Sequence, residues 1–470
     1  MSLKINDRAV IHWTGTMNLD TYHDFFDTGK TRDLSYRIDS LRLLKKAIAD
    51  NEQSILHALH ADLGKGPIEA YSSEIAFVLR EIDLALKNVA RWIKVKKVKT
   101  PLFLKPYTSV VRPEPKGVVL VIGPWNYPFQ LTLTPVVEAL AAGNCVVMKP
   151  SEYAPHTASV LTSMIGGVFD PGHIDVVSGD ADFGRELTAL SWDHIFFTGG
   201  NATGKEIMKA AARTLTPVTL ELGGKNPCVV FDDAPLTAAA GRIAWGKFTN
   251  AGQTCVAPDF VFAHRSIYRP LIEKLTDTIA RFYGNDPRKT PDYGRIVNHK
   301  HFERLVGLLG DGVTVSGGKF DKEDRYIAPT IVTDIAEGSP LLTDEIFGPI
   351  LPVLPFTNQE ALIEKLRRGP IPLAFYLFTK NKRLQRRLLA QVKSGTACIN
   401  ETFLQVTSAH LPFGGLGDSG MGSYHGKAGF DTFTHYRSVL EAGFTFRGRF
   451  FYPPYSISLK SMKRILKFLL

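Results

Sequence analysis

One cysteine of this chain stands in a segment that is suited to chemistry. Cys255 follows Gly252, Gln253 and Thr254 and precedes Pro258, in a stretch without apolar periodicity. Glycine and proline interrupt regular structure, and polar neighbours suit a cysteine that reacts as a thiolate. The segment therefore predicts a loop that presents a nucleophile, although a small buried residue in a turn fits the same letters.

The other three cysteines lie in different surroundings. Cys145, Cys228 and Cys398 fall in short apolar runs that are typical of buried strands. Free cysteine is among the most buried residue types, so these three are predicted to be inert core thiols. Without close pairing, the four cysteines argue against a disulfide framework or a cysteine-rich zinc site and favour a reducing compartment.

Two strand ends carry side chains of catalytic interest. Asn126 lies between Pro124 and Pro128 after an apolar run, where its amide could donate to an oxyanion. Its alternative is an Asx-type turn. Glu221 lies between two leucines at the end of another run, and burial there would raise its pKa and make it a proton acceptor near neutral pH. Its alternative is a strand-end salt bridge.

Two more strand ends are suited to a nucleotide. Lys149 and Glu152 could bind the hydroxyls of a ribose, or form a surface lysine and a helix cap instead. Gly199 and Gly204 stand in a glycine-rich turn before a helical run, where main-chain amides can approach a phosphate. The turn nearly matches the P-loop of nucleotide hydrolases, but Glu206 occupies the position of the magnesium-binding hydroxyl.

The elements that must position these residues alternate along the chain. Amphipathic helical patterns dominate the first hundred residues, and from Lys116 short β-branched runs alternate with helical ones. This order predicts an α/β fold with a doubly wound parallel sheet, whose ligand crevice lies beyond the carboxyl ends of the strands. A second α/β region, which begins near Asn226, carries Cys255.

Length and composition set the broad class. A chain of 470 residues is too long for one core, so two or three domains are expected. Its 44% hydrophobic and 22% charged residues are typical of an ordinary soluble protein, and its net charge of +10 is spread along the chain. No secretory signal opens the chain, and no apolar run reaches the roughly 18 residues of a membrane span. We therefore expect a cytoplasmic protein.

The last residues form a basic amphipathic pattern. Leu459, Met462, Leu466 and Leu469 share one helical face, and the remaining charged residues of the segment are all basic. Such a helix is suited to lie on a membrane surface. Docking on the protein itself or on a partner subunit is the equal alternative.

Taken together, these stretches resemble the aldehyde dehydrogenase superfamily, and in detail its class 3 branch, which includes the fatty aldehyde dehydrogenases. The resemblance runs from about Leu34 to about Arg437 and is highly specific in the order and spacing of its motifs. The matching stretches are residues 124–128 (PWNYP), 149–152 (KPSE), 197–199 (FTG), 221–225 (ELGGK), 252–255 (GQTC), 345–349 (EIFGP) and 412–415 (PFGG).

The resemblance implies a catalytic mechanism. Cys255 would attack an aldehyde carbon as a thiolate, and the Asn126 amide with the Cys255 main-chain N–H would hold the oxyanion. Glu221 would activate the water that hydrolyses the resulting thioester. The implied activity is NAD(P)-dependent oxidation of apolar aldehydes, whether medium-chain, long-chain, aromatic or polyene, to carboxylic acids. An acyl-transferring or reductive enzyme of the same fold is the alternative within the family.

The resemblance also implies the cofactor and the assembly. NAD is the expected cofactor because Glu152 would repel a 2′-phosphate, although class 3 relatives often accept NADP too. No metal is implied. Class 3 members are usually dimers, and the tail lacks the long apolar anchor of membrane-bound relatives, so membrane contact would be peripheral. The implied cofactor-binding residues are Trp125, Lys149, Glu152, Gly199, Gly200, Gly204, Leu222, Glu345 and Phe347.

These features divide the chain into parts. We expect residues 1–92 and 113–220 to form the NAD(P)-binding domain and residues 221–408 the catalytic domain. Residues 93–112 and 409–440 are expected to form a bridging and oligomerisation segment, followed by a tail at 441–470.

Overall fold

The computed structural model of the protein describes residues 17–444 and 452–469. The first 16 residues of the expected NAD(P)-binding domain, and residues 445–451 and 470 of the expected tail, lie outside the described residues. Within the described ranges, helices and strands alternate from residue 118 onward. This alternation confirms the predicted α/β class.

The α-helices of the described ranges are α1 (Asp20–Asp27), α2 (Leu34–Asp50), α3 (Glu52–Leu63), α4 (Pro67–Ala70), α5 (Ala76–Trp92), α6 (Gln130–Ala142), α7 (Pro155–Gly166), α8 (Ala181–Thr188), α9 (Asn201–Ala211), α10 (Leu236–Phe248), α11 (Tyr268–Tyr283), α12 (His299–Leu308), α13 (Pro340–Thr343), α14 (Gln359–Arg368), α15 (Lys382–Gln391), α16 (Gly426–Thr432) and α17 (Leu459–Leu469). None of these helices is long and apolar enough to cross a membrane.

The strands of the described ranges are β1 (Lys96–Val98), β2 (Thr108–Pro115), β3 (Val118–Ile122), β4 (Cys145–Lys149), β5 (Ile174–Val176), β6 (His194–Gly199), β7 (Val218–Leu222), β8 (Pro227–Val230), β9 (Phe260–His264), β10 (Val313–Ser316), β11 (Phe320–Asp321), β12 (Tyr326–Ile327), β13 (Thr330–Thr333), β14 (Ile350–Phe356), β15 (Ala374–Phe378), β16 (Thr396–Ile399), β17 (Gly420–Met421) and β18 (Thr434–Glu441).

The first sheet has six strands in the order β17-β7-β6-β3-β4-β5. Five of these strands run parallel to one another, namely β7, β6, β3, β4 and β5, and β17 pairs with β7 in the antiparallel sense. The chain leaves β3 toward β4 and β5, then returns to place β6 on the other side of β3. The strand order therefore reverses between β3 and β6, which is where a doubly wound sheet binds its ligand.

Apolar composition explains why this sheet is fully covered. Strand β4 is buried at every residue, and β3 at all but Ile122. A parallel sheet with helices on both faces needs such continuous apolar runs. Helix α6, which follows β3, is itself buried along its whole length and is capped by Gly143, whose φ of 92° is left-handed. The turn between β3 and α6, which contains Asn126, is thereby fixed at both ends.

The second sheet has seven strands in the order β10-β13-β14-β9-β8-β15-β16. All its pairs are parallel except that of β10 with β13. Cys255 lies between α10 and β9, in a segment without regular structure. A third sheet joins β1, β2 and β18, and β18 pairs with β2 along its whole length. The basic stretch at residues 91–99 contains β1, an exposed edge strand.

Candidate active site

The loop that carries Cys255 is held by its main chain. Asn250, Ala251 and Gly252 have left-handed φ values of 53°, 50° and 76°, so the chain turns sharply before the cysteine. A side chain at Gly252 would overlap the main chain of Gly348, and only glycine fits there. Asn226 then fixes the cysteine itself, since its Nδ2 donates to the Cys255 main-chain oxygen at 2.7 Å.

The predicted oxyanion donor lies against this loop. Asn126 is 3% exposed, and its Nδ2 donates to the main-chain oxygen of Gln253 at 3.0 Å. A side-chain amide has two N–H bonds, so one is available for a ligand near Cys255. Asn126 thus lies against the loop that carries Cys255.

A buried ion pair supports the Asn126 turn. Lys65 and Glu74 form a salt bridge in which both side chains are fully enclosed. Lys65 Nζ also donates to the Asn126 main-chain oxygen at 3.0 Å, and Glu74 accepts the N–H groups of Phe129 and Gln130 at the start of α6. Sequence reasoning missed this pair, because nothing in residues 65–74 indicates that they bind the turn at Asn126, about 60 positions further along the chain.

The predicted base is buried beside the cysteine. Glu221 is 2% exposed within β7, and loss of water raises its pKa to about 8 against the opposing effect of the Gly415 N–H. Cys255 is partly exposed. Burial, and then the carboxylates of Glu221 and Glu345, raise the pKa of the Cys255 thiol. The resting thiol is therefore protonated at neutral pH, and a neighbouring base is needed to form the thiolate.

A second carboxylate approaches the same region from the other side. Glu345 Oε1 accepts the N–H of Gly224 at 3.0 Å, and a side chain at Gly223 would occupy the place of the Glu345 carboxyl. Burial raises the pKa of Glu345 to about 8. Two residues further along, the Phe347 ring meets the Trp125 ring edge-on, with 5.2 Å between the ring centroids. The predicted cofactor residues 125, 345 and 347 thus flank one crevice.

The nucleotide residues lie at the carboxyl ends of neighbouring strands. Lys149 ends β4, and its Nζ lies 3.1 Å from Glu152 Oε2. Gly199 ends β6, and Gly200 precedes α9, where an added side chain would meet open space. A helix N-terminus with open space before it suits a pyrophosphate, so these residues fit a dinucleotide.

The third glycine of the turn has a different role. A side chain at Gly204 would lie 2.6 Å from the side chain of Leu222, which is buried at the end of β7. The absence of a Cβ at Gly204 therefore allows α9 to pack closely on the sheet. Gly204 and Leu222 support the position of the turn. Gly199 and Gly200, which precede α9, are the glycines whose main chain can approach a phosphate.

The remaining cysteines differ in burial. Cys145 and Cys228 are fully buried in β4 and β8, as predicted. Cys398 is only partly buried, and its Sγ lies 3.1 Å from Gln405 Oε1. The prediction of a core thiol was wrong for Cys398, because β16 is the edge strand of its sheet.

A cavity of about 580 Å³ reaches Cys255. Its wall is formed mainly by hydrophobic and aromatic side chains, and four of these, Ile68, Trp245, Phe282 and Leu404, are also exposed at the surface. Several lining residues come from residues 68–77, where α4 and α5 are joined by a single π-helical turn at Tyr71–Ile75. π-helical turns are frequent at functional sites.

A doubly wound sheet with a dinucleotide crevice, next to a cysteine and a buried glutamate, defines the class of nucleotide-dependent oxidoreductases that work through a cysteine. Comparison with known proteins agrees. The family model described as the aldehyde dehydrogenase family matches residues 21–439. The chain belongs to the aldehyde dehydrogenase family, and it is an NAD(P)-dependent oxidoreductase that acts on aldehydes.

Individual relatives are similar over most of the chain. The 4,4′-diaponeurosporen-aldehyde dehydrogenase of Staphylococcus aureus is 43% identical over 94% of this chain and 97% of its own length. The dimeric NADP-preferring aldehyde dehydrogenase of Rattus norvegicus is 45% identical over 88% of this chain and 92% of its own. The substrate-bound structure of Staphylococcus aureus AldH matches with a TM-score of 0.94 at 42% identity, covering 96% of this chain and all of that one.

These findings decide between the sequence-based alternatives. The resemblance to the aldehyde dehydrogenases is confirmed, together with the fold and the cofactor class. The P-loop interpretation of the glycine-rich turn is wrong. Glu206 lies exposed within α9, where it offers no magnesium-binding hydroxyl.

Proposed function

We propose that the enzyme oxidises apolar aldehydes, whether medium-chain, long-chain, aromatic or polyene, to carboxylic acids. The observation that carries this proposal is the largely apolar cavity that reaches Cys255. A volume near 580 Å³ is within the range of pockets that enclose drug-sized ligands. The name of the Staphylococcus aureus relative, a diaponeurosporen-aldehyde dehydrogenase, supports an extended hydrocarbon substrate. Six of the apolar lining residues are Phe77, Leu131, Trp245, Phe282, Phe403 and Phe413.

In the first half of the proposed reaction, Glu221 accepts the thiol proton of Cys255. The thiolate attacks the aldehyde carbon and gives a thiohemiacetal. The free N–H of Asn126 and the main-chain N–H of Cys255 stabilise the oxyanion that forms. NAD(P), when bound, supplies the hydride acceptor, and a thioester remains on Cys255.

In the second half, Glu221 takes a proton from water, which attacks the thioester and releases the acid. Its pKa of about 8 is matched to proton transfer near neutral pH. A different nucleophile that reached the thioester first would make the enzyme an acyl transferase. Adding coenzyme A and identifying the product separates these outcomes, since hydrolysis gives the free acid under both conditions.

The proposed cofactor contacts use the crevice residues. Lys149 and Glu152 would hold the adenosine ribose, and Gly199 and Gly200 with the start of α9 would hold the pyrophosphate. Trp125, Leu222, Glu345 and Phe347 would surround the nicotinamide ribose. Glu152 disfavours a 2′-phosphate by charge, while the adjacent Lys149 favours one. We therefore propose NAD as the preferred cofactor and NADP as a second one.

The proposed domain division keeps the boundaries expected from the sequence. Residues 1–92 and 113–220 would form the NAD(P)-binding domain, residues 221–408 the catalytic domain, and residues 93–112 and 409–440 the bridging segment of a homodimer. Strand β17 of the bridging segment would then complete the six-stranded sheet of the NAD(P)-binding domain. Helix α17 would make a peripheral membrane contact. Its Leu459 and Leu466 are exposed, and its charged residues are all basic.

The direct test of the substrate proposal is a steady-state survey of straight-chain, aromatic and polyene aldehydes, with NAD and with NADP. We expect kcat/KM to rise with apolar surface until the cavity is filled. A buried methylene contributes about 0.8 kcal/mol, or about fourfold in kcat/KM. A preference for short, charged or sugar aldehydes would refute the proposal.

A further inference from the structure

Aldehyde oxidation releases protons inside the protein. An aldehyde, NAD(P)⁺ and water give a carboxylate, NAD(P)H and two protons. In the proposed function, on which this inference rests, one proton leaves the Cys255 thiol and the other leaves the attacking water. Glu221 accepts both in turn, yet it is 2% exposed and holds only one at a time. It must therefore pass a proton onward between the two halves of each cycle.

Two more buried carboxyl groups lie near the site, and the charge of Glu221 acts on the first of them, Glu138. Glu138 on α6 is 3% exposed, and Glu81 on α5 is 1% exposed. Glu138 Oε1 accepts the N–H of His425 at 2.8 Å, and Glu81 Oε2 accepts the N–H of Gly426 at 3.0 Å. Because these two amides are consecutive in the chain, the carboxyl groups that they bind lie close to each other.

The other oxygens of these carboxyl groups have no protein partner. Among the described residues, Glu221 Oε1, Glu138 Oε2 and Glu81 Oε1 are buried without a hydrogen bond. Unpaired buried oxygens are costly, and each one in a native structure needs a reason. Accepting a main-chain N–H accounts for only one oxygen of Glu138 and one of Glu81. The side-chain oxygen of a glutamine would accept the same N–H equally well. Unlike glutamine, a carboxyl group can also bind and release a proton.

The three carboxyl groups differ in the charges that act on them. Burial, and then the carboxylates of Glu81 and Glu221, raise the pKa of Glu138 well above its usual value. Burial also raises the pKa of Glu81, opposed by the Gly426 N–H and by Arg80 and His410. Arg80 and His410 are both exposed, so of the three groups Glu81 is the one on which charges of the surface act directly.

Two further groups face this cluster. Burial, and then the charges of Glu221, Cys255, Glu138 and Glu81, raise the pKa of the Tyr424 hydroxyl well above 10. The buried imidazole of His425 has a pKa lowered to about 3 by burial and Arg80, so it is neutral throughout the working range of pH. Neither group adds a charge that would trap the proton on its way.

We propose that Glu138 and Glu81 carry protons from Glu221 to solvent near His410. At each transfer an O–H bond breaks on one carboxyl group as another forms on the next, and the proton leaves to water or buffer. No electron pair leaves the protein in these steps, since the oxidation is confined to the substrate on Cys255. Glu138 and Glu81 act through Glu221 and touch neither substrate nor cofactor.

The test is Glu138→Gln, which keeps the acceptor for the His425 N–H and cannot carry a proton. The first hydride transfer needs only an empty Glu221, so the variant should release about one equivalent of NADH per site at the wild-type rate. The steady state should then be slower by about tenfold or more, as for loss of a proton-transfer group. The solvent deuterium effect on kcat should increase, and thioester should accumulate on Cys255.

Asp62→Asn is the matched control. Asp62 is a buried carboxylate that accepts the N–H groups of His156 and Thr157 at the start of α7, in another part of the fold. If Glu138 had a purely structural role, Glu138→Gln would lower the rate of the NADH burst and the steady-state rate by the same factor. We expect this equal change in Asp62→Asn. Glu81→Gln carries the same test if Glu138→Gln does not fold.

An unchanged kcat and deuterium effect in a folded Glu138→Gln enzyme would overturn the proposal, as would an equal fall in burst and steady state. Failure of the proposed function appears elsewhere: Glu221→Gln would then hydrolyse the thioester at the wild-type rate.

Discussion

The side-chain amide of Asn126 donates to the main-chain oxygen of Gln253 at 3.0 Å, and so joins two segments that are 127 positions apart in the chain. The first segment ends β3 of the nucleotide-binding sheet, and the second leads into Cys255. This bond holds the proposed oxyanion donor against the loop of the proposed nucleophile before any substrate arrives. Such a fixed position is what makes an oxyanion site effective, because no reorganisation is needed during the reaction.

Replacing Asn126 should therefore lower the rate of the chemical step. For Asn126→Ala we expect kcat to fall by about 10²- to 10³-fold, the usual effect of removing one oxyanion donor, with a smaller change in KM. Single-turnover kinetics of NADH formation, with thermal melting to verify the fold, are the measurements. A folded variant that loses less than about threefold would show that the main-chain N–H of Cys255 is sufficient.

Replacing Cys255 should abolish oxidation. We expect Cys255→Ala to lose about 10⁴-fold or more in kcat, as enzymes do when the nucleophile is removed. Cys398→Ala is the matched control, because Cys398 is the other partly exposed cysteine. Trapping of a thioester with labelled aldehyde, followed by mass spectrometry of the peptide that contains residue 255, identifies the sulfur directly. NADH formation by a pure Cys255→Ala enzyme would exclude covalent catalysis at this residue.

Sequence reasoning reached the fold because strand and helix patterns alternate, and Asn126, Lys149 and Gly199 lie at or just after strand ends, as predicted. The burial of Glu221 was predicted from its two leucine neighbours, and the side chain is buried in β7, where loss of water raises its pKa. Contacts between distant segments were not predictable. Lys65 binds the Asn126 turn, and Asn226 binds both the Cys255 main-chain oxygen and the N–H of Ala374, 148 positions away. The space for Leu222 beside Gly204 likewise depends on the packing of α9.

The pH dependence of the reaction should report Glu221. A carboxyl group with a pKa of about 8 is protonated below that pH and cannot accept a proton, so kcat should rise as pH increases through about 8. Glu345 has a similar pKa and is the natural competitor for this assignment. Hence the inflection in kcat should disappear in Glu221→Gln and persist in Glu345→Gln. The opposite result would assign the base to Glu345.

The buried pair of Lys65 and Glu74 should be important for stability. Removing one partner leaves an uncompensated buried charge, which typically costs 3–5 kcal/mol. We expect Lys65→Met to lower the free energy of unfolding by about that amount and to lower kcat too, because Lys65 Nζ binds the Asn126 main-chain oxygen. Denaturant unfolding and steady-state kinetics test both effects. Lys45→Met, which breaks an exposed pair with Asp83, is the control and should cost less than about 1 kcal/mol.

The basic face of α17 should bind anionic membranes. Its Leu459 and Leu466 are exposed, and Lys460, Lys463, Arg464 and Lys467 supply positive charge. Each such charge near an anionic surface contributes about 1 kcal/mol, and the attraction is screened as the Debye length falls from about 10 Å at 0.1 M salt to about 3 Å at 1 M. We therefore expect the enzyme to sediment with vesicles that contain phosphatidylserine, less so at high salt, and not with phosphatidylcholine alone.

A chain that ends at Tyr455 removes the helix and should lose this binding, whereas glutamine at the four basic positions keeps the helix and removes only its charge. If the truncated chain binds equally well, the membrane contact lies elsewhere. A change in its mass from dimer to monomer would instead assign α17 to the subunit interface.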